Sequence, residues 1–197
     1  MNRLKNLNYQ LFEHIKKENQ KEENVKYGNT VKIYVVIDAA RIKKLTNELI
    51  ALTDITYENL FTREDAERLE EVAPYLIELK EEHDFTTWVY ANVYGELGAI
   101  FLQSNKEIEI IAETFRTYIT TTIEVEHPKK ENETMLSKAY VRLYDPRVFF
   151  YFMHNLENKA SFFEVISKVY VENKDDAQFL ECVTIANKSR INLEETI

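Results

Sequence analysis

Residues 31–37 read VKIYVVI, and the second half of that run is apolar without alternation. A strand with one face in water alternates apolar and polar residues, whereas an unbroken apolar run has to be covered on both faces. Asp38 follows, and Ile42, Leu45, Leu49 and Leu52 then mark the inward stripe of a helix. A doubly buried strand that feeds a helix sets the class as α/β, with a mixed β-sheet flanked by helices in a single compact domain. The 197 residues are enough to enclose such a core.

The rest of the chain reads in the same terms. Leu4, Leu7, Leu11 and Ile15 recur at helical spacing, so residues 1–26 are expected to form an amphipathic helix and a loop. Residues 27–164 form the α/β domain, and 165–197 a C-terminal hairpin and polar tail packed on that same domain. Within the domain, 75–79 and 99–102 read as strands, and a helix surrounds Trp88. Ile108, Ile111, Phe115 and Ile119 form the stripe of another helix. Residues 122–126 and 136–144 read as two strands, the second alternating Ala139, Val141 and Leu143 against Tyr140, Arg142 and Tyr144. Asp145 followed by Pro146 is a helix start, with Asp as N-cap and Pro at the first helical position. Residues 165–171 and 179–185 make the closing hairpin, and everything after Ala186 is polar tail. The same start statistics favour Asp38 as a helix N-cap over a ligand-binding carboxylate at the sheet edge.

Composition excludes several kinds of chemistry. Only three glycines occur (Gly28, Gly95, Gly98), too few to write a P-loop or a dinucleotide fingerprint. The net charge of -9 and pI near 5.1 make a nucleic-acid groove a poor candidate. One cysteine, Cys182, permits no internal disulfide and fits a reducing compartment. No apolar stretch suits a signal peptide or a membrane span, so a cytoplasmic location is expected. His14, His83, His127 and His154 are scattered, without metal-ligand spacing. Cys182 sits in an apolar strand, as an inert buried thiol would. The reading is therefore of no enzyme, no catalytic residue, no metal and no cofactor.

Two features carry binding potential. Residues 58–82 hold nine acids against Arg63, Arg68 and Lys80, which is either a solvated face or a dock for a basic partner. Residues 140–170 hold nine aromatics, six of the positions from Val148 to Met153 being consecutively apolar. A helix that is apolar all round is either fully buried or presents apolar surface to a partner. Arg142, Asp145 and Arg147 bracket the strand-to-helix junction just before it.

The block 140–147 (YVRLYDPR), followed by an apolar helix and Phe162-Phe163, resembles the type VI secretion effector-chaperone (adaptor) family, formerly a domain of unknown function. Residues 34–40 (YVVIDAA) resemble its first strand, and 73–77 (APYLI) its Gly-Pro-Tyr-Leu segment with Ala73 in place of glycine. Residues 98–104 (GAIFLQS) and the following helix with Arg116 resemble its glycine-strand-serine element and late arginine. The likeness spans roughly 33–165; it lacks the usual tryptophan before Gly98, and the chain ends soon after the block.

The resemblance implies a cytoplasmic protein that binds a secreted effector and helps load it onto the valine-glycine-repeat spike protein. Together with the aromatic excess it marks Arg142, Tyr144, Arg147, Phe149 and Phe150 as candidate partner contacts. Asp38, Pro74, Tyr75, Gly98, Arg116, Asp145 and Pro146 are marked as structural positions. Two other roles stay open: an immunity protein that neutralises a toxin, and an enzyme acting on a phosphorylated substrate.

Overall fold

A computed structural model describes residues 12–13, 17, 19–20, 30–52, 54–126, 128, 134–155, 159–173, 179–185 and 188–192. The apolar run forms β1 (Lys32–Asp38), whose last six residues are buried. There follow α1 (Leu45–Ala51), β2 (Tyr57–Asn59), α2 (Arg63–Arg68), a 3-10 turn at Glu70–Val72, and β3 (Pro74–Leu79). Next come α3 (Asp84–Asn92), β4 (Ala99–Ser104), α4 (Ile108–Ile119), β5 (Thr120–Glu126) and β6 (Thr134–Tyr140). The chain continues with α5 (Pro146–Asn155), α6 (Lys159–Val165), β7 (Lys168–Glu172), β8 (Phe179–Val183) and β9 (Lys188–Asn192).

Seven strands form one sheet in the order β2-β3-β1-β4-β7-β8-β9, and β5 with β6 form a separate ribbon. β1 is interior, paired with β3 on one side and β4 on the other. The α/β class is as expected, but the ladders are antiparallel among the described residues where the sequence predicts a mixed sheet. An unbroken apolar run reports that both faces are covered, and helices cover both faces here; it says nothing about strand direction.

The alternation of β1 divides the core into two layers. Ile33, Val35 and Ile37 join Tyr75, Ile77, Phe101 and Tyr170 under Leu45 and Leu49 of α1 and Phe85, Val89 and Tyr90 of α3. Tyr34 and Val36 join Leu76, Ile100, Leu102 and Val169 on the other face, beneath α4, α5 and α6. In α4 the stripe Ile108, Ile111, Phe115 and Ile119 is the buried face, as its spacing requires.

Three local expectations are corrected. β6 ends at Tyr140 instead of continuing to Tyr144. Leu143 and Tyr144, predicted to face opposite ways, are both buried, because the chain turns inward with Leu143 N–H donating to the Val141 carbonyl. Residues 188–192, read as polar tail, form β9 against β8. Lys188 suits that outermost position, since a charged side chain discourages further pairing at an edge. Most of the N-terminal stretch 1–26 and of the turn at 173–176 lies outside the described residues. Phe12 is helical and buried at the edge of the core, and the Asn19 side chain brackets Val31, accepting from its N–H and donating to its carbonyl. Among the described residues no helix is long and apolar enough to cross a membrane.

Candidate functional site

The C-terminal end of β1 meets the segment 141–147, and the contact is built around two buried carboxylates. Asp38 is 1% exposed. It is not a helix N-cap, since α1 begins only at Leu45 and its cap position, Lys44, makes no side-chain bond. Asp38 instead fixes the turn that leaves the sheet. Its carbonyl accepts from Arg41 and Ile42 N–H at 3.0 and 2.9 Å, and its Oδ1 from Ala40 N–H at 3.1 Å. A carboxylate removed from water needs a counter-charge, and Arg142 Nη2 donates to Oδ2. The turn lies against Gly98, which directly precedes β4 and is held there by Asp38 N–H donating to its carbonyl at 2.9 Å. A Cβ there would stand 3.0 Å from Ile42 Cδ1, so the close approach favours glycine.

Asp145 is the second carboxylate, 3% exposed. As the Asp-Pro start predicts, it caps α5: Oδ1 accepts from Arg147 N–H at 2.9 Å. The same oxygen accepts from Arg147 Nε at 2.9 Å, and Oδ2 from Nη2, a two-pronged pair. Burial raises the Asp145 carboxyl, but the Arg147 side-chain and backbone bonds outweigh it and hold the group below the ordinary range. Asp145→Ala is expected to cost about 1–2 kcal/mol in urea denaturation, the upper part of the cap range because Arg147 loses its anchor too. Unchanged stability would remove Asp145 from the cap.

Arg142→Ala is expected to cost about 2 kcal/mol, because it leaves the Asp38 carboxylate buried without its counter-charge. Arg142→Lys should recover part of that loss. Equal melting temperatures for the wild type and the alanine variant would contradict the pairing.

Tyr144, which precedes Asp145, is 3% exposed. Burial first, and then the nearby Asp38 charge, push its hydroxyl well above the ordinary value. Tyr144 and Phe149, expected as partner contacts, are core residues, Phe149 having no exposed surface. The turn after β6 carries Tyr144 inward, and the first turn of α5 aims Phe149 at the sheet. Phe150 is half-buried with Lys188 Nζ 4.0 Å above its ring, and Tyr151 is 76% exposed. What remains on the surface are the two guanidinium groups, the Arg142 side chain 46% and the Arg147 side chain 48% exposed.

The neighbouring structural positions hold the frame. Pro74 opens β3 opposite Asp38, and its carbonyl accepts from Leu60 N–H. Tyr75 donates to the Glu70 carbonyl at 3.0 Å. Arg116 clamps α4 to β2 through the Asn59 carbonyl at 2.7 Å and Glu58 at 2.8 Å. The acidic stretch is therefore partly consumed internally, since Glu58 pairs with Arg116, Glu78 with Lys32, and Asp65 with Arg68 and Lys138. Asp65 also accepts from Tyr140 Oη at 2.5 Å, and the Tyr140 hydroxyl with Arg68 and Lys138 holds its carboxyl far below the ordinary range. Tyr140 packs on Phe61 with ring centroids 4.2 Å apart, fastening the base of the β5–β6 ribbon to the body.

Sequence reasoning missed Glu172, at the end of β7. It is 2% exposed, and its Oε2 accepts from Gly95 N–H at 2.8 Å and Leu97 N–H at 3.4 Å. Gly95 and Leu97 both have positive φ, so this carboxylate ties down the tight turn that delivers Gly98 to Asp38. The signal available was an acid closing an otherwise apolar strand, VYVE.

Chemically, the arrangement offers donors in place of a poised base, because Asp38 and Asp145 are each taken up by an arginine. Among the described residues no three His, Cys, Asp or Glu side chains converge on a point that could hold a metal ion. Cys182 is buried in β8.

The chain finds no significant match among curated proteins or among solved structures. A family model described as a domain of unknown function, DUF4123, matches residues 33–161. That match takes in all but the first residue of β1, the Gly98 turn, Arg116 and the whole Arg142–Arg147 junction. The chain belongs to the DUF4123 family.

Proposed function

We propose that the chain is a non-enzymatic adaptor that binds a secreted effector protein of a type VI secretion system and helps bring it to the valine-glycine-repeat spike protein. The resemblance of the YVRLYDPR block and its companions to effector chaperones motivates the reading. The observation that supports it most is the pair of guanidinium groups at 142 and 147. Each is pinned on a buried carboxylate while nearly half of its side chain faces solvent. Pinning removes much of the rotamer entropy that a long side chain loses on binding, so the exposed donors are pre-organised for a carboxylate or for backbone carbonyls of a partner. Such anchored arginines beside aromatic surface suit a protein-binding hot spot. Tyr151, exposed on the same helix that Asp145 caps, supplies that surface.

The test is co-expression with candidate effector and spike proteins taken from the genome that encodes this chain. The reading expects soluble effector only when the chain is present, a chain–effector complex on gel filtration, and recruitment of that complex to the spike. An effector that is equally soluble alone and forms no complex would refute it. A complex that blocks the toxin but never joins the spike would make the chain an immunity protein instead.

A further inference from the structure

The edges of the large sheet are guarded. β2, at one end, is three residues long, and β9, at the other, opens with the exposed Lys188. The ribbon edge is different. β5 is seven residues long, pairs only with β6 among the described residues, and contains no Lys, Arg or Pro. A long edge without lysine or proline is open to pairing, and the two glutamates of β5 bar a like-charged strand while leaving the edge open to a segment that brings positive charge.

The register of the ribbon defines what would fit. Thr122, Glu124 and Glu126 share one face with Lys138, Leu136 and Thr134. Lys138 is engaged by Asp65 and Thr62, and one oxygen of Glu124 accepts from Thr134, but both glutamates stand exposed. The other face carries Ile123, Val125 and Met135, with Ile123 45% and Met135 40% exposed. One face of the edge is thus acidic and the other apolar.

We infer that the outer edge of β5 accepts an extended segment of a protein partner whose side chains alternate basic and apolar. Backbone hydrogen bonds to the free edge supply affinity, the basic side chains meet Glu124 and Glu126, and the apolar ones lie on Ile123 and Val125. A second copy is a worse occupant, since it brings the same two glutamates and a net charge of -9. The inference goes beyond the adaptor reading, and its test needs neither effector nor spike.

The probe is a fluorescently labelled synthetic peptide of alternating lysine and valine, with two comparison peptides: glutamate replacing lysine, and the same composition with the lysines in one block. The expected result is that the alternating basic peptide binds and the other two do not. Glu124→Lys with Glu126→Lys should weaken binding at least about tenfold at low salt. Amide exchange along β5 in the wild-type chain should slow when that peptide is added, a readout that does not depend on any variant folding. Equal binding of the block peptide would reduce the effect to charge alone and overturn the inference. Unchanged β5 exchange would overturn it, as would sedimentation showing a dimer that Ile123→Lys abolishes, which would give the edge to a second copy.

Discussion

Phe149→Ala is expected to lower the stability of the chain by about 3–5 kcal/mol, a large share of the roughly 5–15 kcal/mol that separates a native domain from its unfolded state. The ring has no exposed surface and lies in the layer formed by Tyr34, Leu102, Leu143, Tyr144 and Phe162. Truncation removes its burial energy and leaves a void where α5 meets the sheet, and the neighbours close such voids only in part. Tyr151→Ala, two positions along the same helix and 76% exposed, is expected to change stability by no more than about 0.5 kcal/mol. Urea denaturation of the two variants, with Phe149→Leu as a milder third, measures the contrast. A Phe149→Ala protein with wild-type stability would mean that the aromatic helix is surface after all, and that its first turn is available to a partner.

Glu172→Gln is expected to stabilise the chain above pH 7 and to leave it unchanged in mild acid. Burial raises the Glu172 carboxyl from 4.5 to about 7; the Gly95 and Leu97 N–H groups and the Arg41 charge pull the other way, while Glu96 adds to the rise. The folded chain therefore holds a proton that the unfolded chain has released between those two values. Stability is full below about pH 4.5 and falls as pH rises through about 7. A shift of that size corresponds to at most about 3 kcal/mol between the two ends of the window. Glutamine keeps an acceptor for the two backbone N–H groups and does not titrate, so the difference between variant and wild type isolates this one group. Stability curves at pH 5 and pH 8 that run parallel for the two proteins would show that Glu172 does not titrate in that window.

How much of this was legible in the sequence depended on whether the information was local. β1, β3 and β4 are readable because burial on both faces demands an apolar run, and α4 because burial on one face imposes a helical period. The α5 start is readable because a cap and its helix are neighbours in the chain. Strand direction is not, because an apolar run is the same in either direction. Nor is the pairing of Asp38 with Arg142, which are 104 positions apart and meet only once the sheet has formed. The aromatic cluster shows the same limit. Composition reports the excess, but only the turn at 141–144 decides that Tyr144 and Phe149 face inward while Tyr151 faces out. Glu172 went unread because a carboxylate closing a strand usually marks the return to solvent, and here two backbone N–H groups receive it in the interior.

The central claim is that the anchored arginines at the strand-to-helix junction are the contact with a protein partner, and Arg147→Lys tests it most directly. Lysine keeps the charge beside Asp145 and the backbone cap, but it cannot pair with the carboxylate and present a planar fork to a partner at once. The measurement is gel-filtration co-elution of effector with wild-type and Arg147→Lys chains, alongside their melting temperatures. The account predicts that the variant melts within a few degrees of wild type and no longer carries the effector. Full co-elution of effector with a folded Arg147→Lys chain would contradict it.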